Sequence, residues 1–220
     1  MKKDLTLIAI ILDESGSMSS CKSDTIGGVN EFLNTQKKIK GQADVTLVKF
    51  SDYYKIINDA TPIENVALLN EGNYTPSNST ALLDAVGKTF NSIGTKLANM
   101  KENERPEKVL VLIITDGYEN ASKEFSKKQI FDMVTHQREK YNWQITFIGA
   151  DIAAWGEEIG IYTNVSISKD DIVRSMKGMS LYTANYRTNS ANISADNFNL
   201  SSEELDTELE KMYEDKKDNK

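Results

Sequence analysis

The sequence predicts an α/β fold: a Rossmann-like three-layer sandwich with a central, mostly parallel six-stranded sheet, one antiparallel edge strand, and helices on both faces. Three observations predict it. Four short β-branched segments are apolar almost without interruption, as strands buried on both faces are. Segments with apolar residues three and four apart, the signature of one helical face, lie between them. The alternation of the two kinds places helical crossovers between parallel strands. At 220 residues the chain suits one domain of ordinary size with an appended tail.

The first strand is Leu5 to Leu12, "LTLIAIIL". Lys2 and Lys3 before it imitate a secretory signal, but the run ends in Asp13 and Glu14 instead of a small-residue cleavage site. It is also far shorter than the roughly 20 apolar residues that span a bilayer. The reading is a strand of a cytoplasmic protein with no membrane segment. Ile26, Val29 and Leu33 then mark a helix, and Val45 to Phe50 the second strand. Tyr53 to Asn58 follows after only Ser51 and Asp52, and so short a connection joins antiparallel neighbours. This is the edge strand.

Leu82, Val86, Phe90, Ile93 and Leu97 form the apolar face of a second helix, on which Gly87 and Gly94 allow close approach to the sheet. Val109 to Thr115 and Ile145 to Ala150 are the remaining buried strands, separated by a helix over Ser126 to Tyr141 that carries Ile130 and Val134 inward. A weaker strand over Asn164 to Ile167 and a helix over Lys169 to Met179 complete a domain spanning residues 1–182. Residues 183–220 read as a polar linker, "TANYRTNSANISADNFNLSS", followed by an acidic helix or tail. Ser201 and Glu204 have capping-box spacing ahead of Leu205, Leu209 and Met212. With nine acids against five bases from Thr183 onward, this end is expected to be solvated.

Composition removes several function classes. A formal charge of −7, from 26 Lys and Arg against 33 Asp and Glu, opposes the phosphate attraction on which nucleic-acid binding relies. Cys21 is the only cysteine, so there is no internal disulfide and no multi-thiolate zinc site. No G-x-x-x-x-G-K phosphate loop and no solenoid repeat occurs. His136, the only histidine, sits mid-helix in a charged stretch and reads as a solvated residue, while Trp143 and Trp155 read as packing.

Two strands end in an aspartate: Asp13 opens "DESGSM" and Asp116 opens "DGYEN". Each is ordinary turn chemistry by itself. In open α/β sheets, however, ligands bind beyond the carboxyl ends of strands where the strand order reverses. Neighbouring strands at that point would bring both carboxylates to one crevice. A third element, "TPSNSTALLDA", places Thr80 at the opening of the second helix, with Asn78 or Ser79 available as its N-cap. The antiparallel edge strand ends at the wrong edge of the sheet, so the segment from Asp59 to Ser79 must climb back. At roughly 3.3 Å per extended residue it is long enough to deliver Thr80 to the rim of Asp13 and Asp116.

With Asp13, Ser15 and Ser17 of "DESGS", Thr80 of "STALLDA" and Asp116 of "TDG", the chain resembles the von Willebrand factor A (vWA) domain family with its metal-ion-dependent adhesion site. The resemblance covers roughly residues 4–182 and is of the bacterial or phage intracellular type. It implies that Ser15 and Ser17 bind a metal directly, Thr80 directly or through water, and Asp13 and Asp116 largely through bridging waters. The cofactor it implies is Mg²⁺, with Mn²⁺ or Ca²⁺ as alternatives. Hard divalent cations prefer such oxygen ligands. Neutral hydroxyls leave most of the cation's charge uncompensated, so an open position attracts a carboxylate from a protein partner, and the function expected is a cation-dependent adhesion or adaptor module.

Rim residues would choose that partner: Ser19, Lys22 and Asp24 after the first strand, Tyr74 and Asn78 before Thr80, Tyr118, Glu119 and Asn120 after Asp116, and Asp151 after the fourth buried strand. Two alternatives come from other classes. A phosphoester hydrolase of the haloacid dehalogenase type needs a second acid two residues after the first, where this chain has Ser15. An RNA- or nucleoprotein-binding component is opposed by the acidic charge. The expectation is therefore a binding protein and not an enzyme.

Overall fold

The structure, a computed structural model, describes residues 1–149, 153–161, 163–166, 172–188 and 200–217. Its strands are β1 (Lys2–Asp13), β2 (Gln42–Phe50), β3 (Tyr54–Pro62), β4 (Pro106–Ile114), β5 (Gln144–Gly149) and β6 (Thr163–Ser166). Its helices are α1 (Lys22–Lys38), α2 (Leu82–Asn99), α3 (Lys127–Tyr141), α4 (Ala153–Glu158), α5 (Ile172–Arg187) and α6 (Ser202–Lys217). The strands form one mixed sheet in the order β3-β2-β1-β4-β5-β6, with β3 alone antiparallel to its neighbour. No helix among the described residues is long and apolar enough to cross a membrane.

The near-continuous apolar runs are explained by burial on two sides. In β1, Ile8, Ile10 and Leu12 join residues of α1 and α5 in one apolar cluster, while Leu7, Ala9 and Ile11 join residues of α2 and α3 in another. Each fully buried aliphatic side chain contributes about 1.5–3 kcal/mol, so polar alternation would have been costly here. Trp143 is buried and meets Phe90 edge-on at 5.6 Å.

β3 runs four residues beyond the expected Asn58, and its pairing with β2 shifts register twice. Those irregularities absorb extra residues, and Ala60 takes a positive φ of 48° while its N–H donates to Thr46 Oγ1. The chain then returns along the α1 side. Ile63, Val66, Leu69 and Tyr74 are buried in that cluster, and Asn30 holds Leu69 by both its carbonyl (2.9 Å) and its N–H (2.8 Å).

The C-terminal region departs from expectation in two ways. α5 continues to Arg187, so residues 183–187 are helix and not linker. Thr183 and Ala184 are fully buried there because α5 packs against α1, and the nearby Ser180 hydroxyl is satisfied by the Met176 carbonyl. Lys108 caps the helix through the Tyr186 and Arg187 carbonyls (2.6 and 2.9 Å). The Arg187 guanidinium donates to the carbonyls of Gln36 and Gly41, and burial lowers its pKa to about 10.

α6 is also docked and not a solvated end. Leu205 and Leu209 are buried with Leu181, Lys177 pairs with Asp206 at 2.7 Å, and the Lys38 ammonium lies over the Tyr213 ring. The Ser201–Glu204 capping box forms.

Candidate metal centre

β1 and β4 are adjacent, with β2 and β3 on one side and β5 and β6 on the other, so the strand order reverses between them. Asp13, at the end of β1, and Asp116, two residues after β4, stand at the resulting crevice. Asp13 is fully buried. Its Oδ1 accepts the Ser15 N–H at 2.6 Å and its Oδ2 accepts the Thr115 hydroxyl at 2.5 Å. Burial pushes the Asp13 carboxyl above its ordinary value and the Asp116 carboxylate adds to the rise, against the lowering effect of these hydrogen bonds. Two acids in one desolvated crevice form a charge that a cation would offset.

Ser15 is extended, but the chain then winds into a 3₁₀ turn over Gly16–Cys21. The loop is thus not extended through Ser17. It is the turn that brings Ser17 Oγ to 3.1 Å from Ser15 Oγ. Behind the turn, the Asp116 N–H donates to Met18 Sδ, and the Cys21 thiol lies 3.9 Å from Asp116 Oδ2.

Thr80 precedes α2 by two residues, and neither Asn78 nor Ser79 caps the helix; its N-cap is Ala81, without a side-chain bond. The first α2 amides are satisfied from across the crevice instead, Leu83 by Glu119 Oε2 (3.0 Å) and Asp84 by Ser122 Oγ (3.1 Å). The Asp84 carboxylate in turn accepts the N–H groups of Lys123, Glu124 and Phe125. Burial works to raise the Asp84 carboxyl, but these three donors outweigh it and hold its pKa below the ordinary value. The loop carrying Asp116 and the helix start carrying Thr80 therefore form one unit.

These segments meet at Gly117. A Cβ there would lie 2.9 Å from Ser17 Oγ, 3.0 Å from Thr80 Oγ1 and 3.4 Å from Asp13 Oδ2. Three oxygens from two separate segments of the chain face one point, which only glycine leaves open. That donor set, hydroxyls and carboxylates, suits a hard divalent cation. Among the described residues no three or more His, Cys, Asp and Glu side chains are grouped as for a metal, here or elsewhere.

The expected rim divides. Ser19, Asp24, Asn78, Tyr118 and Asn120 are exposed. Lys22 is held by Glu71 in an ion pair of 2.7 Å. Two residues are structural and not rim contacts: Tyr74 is fully buried, its hydroxyl donating to the Asp13 carbonyl at 2.6 Å, and Glu119 is occupied by Leu83, Ala121 and Ser122. Asp13 is distant from Tyr74 in sequence, and Leu83 from Glu119, so spacing could not reveal those two bonds. Asp151 lies outside the described residues.

Beside Thr80 opens a cleft of about 450 Å³ lined by Tyr53, Tyr54, Ser79, Lys88, Asn120 and Lys123, among others. A second cavity, of about 500 Å³, lies at the other end of the sheet near Pro106 and Trp143 and contains none of the motif residues. The close approach that Gly87 allows is to Phe125, ahead of α3, and not to the sheet, since a Cβ on it would meet the Phe125 ring at 2.5 Å. His136 is exposed on α3 beside Tyr141.

No family model and no curated protein matches the sequence. Solved structures do match the fold. A von Willebrand factor type A protein from Catenulispora acidiphila aligns over 84% of this chain and 43% of its own, with a TM-score of 0.55 and 10% identity. Proximal thread matrix protein 1 from the mussel byssus, solved with a zinc-occupied MIDAS motif, aligns over 80% of this chain and 47% of its own (TM-score 0.55, 16% identity). The vWF domain of the type V pili tip protein Mfa5 from Porphyromonas gingivalis aligns over 84% and 96% (TM-score 0.59, 9% identity). At these identities the likeness establishes a shared vWA fold, and the chain spans less than half the length of the first two.

Proposed function

We propose that this protein binds a divalent cation at the crevice between β1 and β4 and, through it, a carboxylate of a protein partner. Ser15, Ser17 and Thr80 would hold the ion, with Asp13 and Asp116 acting largely through bridging waters. Mg²⁺ is the ion proposed, with Mn²⁺ or Ca²⁺ able to take the same donors; the zinc in the mussel protein supports a divalent ion in general. The observation that carries the reading is the convergence of Asp13 Oδ2, Ser17 Oγ and Thr80 Oγ1 on the space left by Gly117.

When bound, the ion supplies a Lewis-acidic anchor for an anionic ligand. The chain's own residues orient it: Thr115 and the Ser15 N–H fix the Asp13 carboxylate, and Asn120 fixes Thr80. Because the hydroxyls are neutral, the charge demand falls on the ligand, which favours binding over bond cleavage. The cleft beside Thr80 would take the chain flanking the partner's acid. The single, buried Cys21 supports a cytoplasmic setting, and an adaptor of bacterial or phage type fits it.

The test is calorimetric titration with Mg²⁺, followed by affinity recovery of a partner in Mg²⁺ and in EDTA. Wild type should bind the ion and retain a partner only with it, and Ser15→Ala/Ser17→Ala should do neither. Equal recovery in EDTA would sink the bridging mechanism.

A further inference from the structure

Resting on that metal-site reading, we propose that Glu14 is a positioning residue for the site: a buried clamp that fixes the hydroxyl loop and cancels the Lys49 ammonium lying behind it. Glu14 sits between Asp13 and Ser15, so its side chain leaves the strand end away from the crevice. It is 1% exposed. A carboxylate there is stable only if fully bonded. Its Oε1 accepts from Lys49 Nζ at 2.8 Å and from the Thr75 N–H at 2.5 Å, and its Oε2 accepts the Tyr53 hydroxyl.

The backbone of the same residue is held as well. The Glu14 N–H donates to the Phe50 carbonyl at 2.6 Å, and its carbonyl accepts from Ser77 at 2.9 Å. The next residue but one, Gly16, donates to the Asn78 carbonyl at 2.9 Å. One residue therefore ties the loop bearing Ser15 and Ser17 to β2, to the β2–β3 connection, and to the segment leading into Thr80.

The charge matters separately from the bonding. Lys49 is itself 8% exposed, and its other acceptor is the neutral Asn73 carbonyl at 2.5 Å. Without Glu14 its ammonium would stand uncompensated, in a low-dielectric setting, one side chain behind a site proposed to take a divalent cation. Glu14 thus has two effects on the ion: it aims the hydroxyls and removes an opposing field.

The two effects separate in Mg²⁺ titrations of the full chain, with folding checked by circular dichroism. Glu14→Gln should bind Mg²⁺ about tenfold or more weakly, the range seen when residues supporting metal ligands are lost. Glu14→Gln/Lys49→Met should recover much of that loss, because no ammonium remains. Lys49→Met alone leaves Glu14 with its Tyr53 and Thr75 donors and should bind Mg²⁺ more tightly than wild type, whereas a purely structural role for the pair predicts weaker binding. Wild-type affinity in Glu14→Gln, or no tightening in Lys49→Met, overturns the proposal. Should Glu14→Gln fail to fold, the Lys49→Met result decides alone. A wild-type protein that binds no Mg²⁺ would instead remove the metal-site reading beneath it.

Discussion

Asn120 and Thr80 are hydrogen-bonded in both directions: Asn120 Oδ1 accepts the Thr80 N–H at 2.9 Å, and the Asn120 N–H donates to the Thr80 carbonyl at 3.0 Å. The side chain holding Thr80 thus comes from the loop that carries Asp116. Removing it in Asn120→Ala should cost about 1 kcal/mol in urea unfolding, the usual worth of one such bond, and should weaken Mg²⁺ binding with the fold intact. Unchanged Mg²⁺ affinity would mean that Thr80 needs no such support.

Asp84 should give the fold an acid-sensitive component. Its pKa is depressed in the folded state, so its contribution is present above the unfolded carboxylate value, about 3.9, and is lost as pH falls through the lower folded value. Asp84→Asn should be about 1–2 kcal/mol less stable than wild type at pH 7, with a smaller gap at pH 3. Urea denaturation at the two pH values measures this, and a constant gap would exclude the charge as its source.

Gly87 should resist even a methyl group. Its Cβ would fall 2.5–2.7 Å from Phe125 ring atoms, whereas a Cβ on Gly27 meets nothing within 4 Å. Gly87→Ala should lower stability by about 1–3 kcal/mol through overpacking and shift the loop bonded to Asp84, while Gly27→Ala should be neutral or stabilising by up to about 1 kcal/mol. Thermal melts of the two variants make the comparison.

Leu205 tests whether the C-terminal helix belongs to the fold. It is fully buried against Leu181, so Leu205→Ala should cost about 2–3 kcal/mol in global unfolding, toward the low end for a core truncation. A solvated tail would show no change.

The sheet was legible because strands buried on both faces have no polar alternation, and β1, β2, β4 and β5 read that way. Asp13 and Asp116 were legible because they follow such strands, and Thr80 because an antiparallel β3 forces the chain to climb back. What sequence could not reveal were bonds between distant segments. Glu14 meets Thr75, Tyr74 meets Asp13, and Glu119 rather than a local residue supports the α2 N-terminus. None of these pairs has a characteristic spacing. Residues 183–187 misled for another reason: Thr183, Ala184 and Asn185 suggested a linker, yet in α5 they are buried, and the Thr183 hydroxyl bonds to Met179 Sδ within its own helix.

The most direct test of the central claim is an anomalous difference map from crystals equilibrated with saturating Mn²⁺. A peak is expected within coordination distance of Ser15 Oγ, Ser17 Oγ and Thr80 Oγ1, in front of Gly117, and no such peak in Ser15→Ala/Ser17→Ala. A wild-type map featureless at that position, or a peak that persists there without the two hydroxyls, would contradict it.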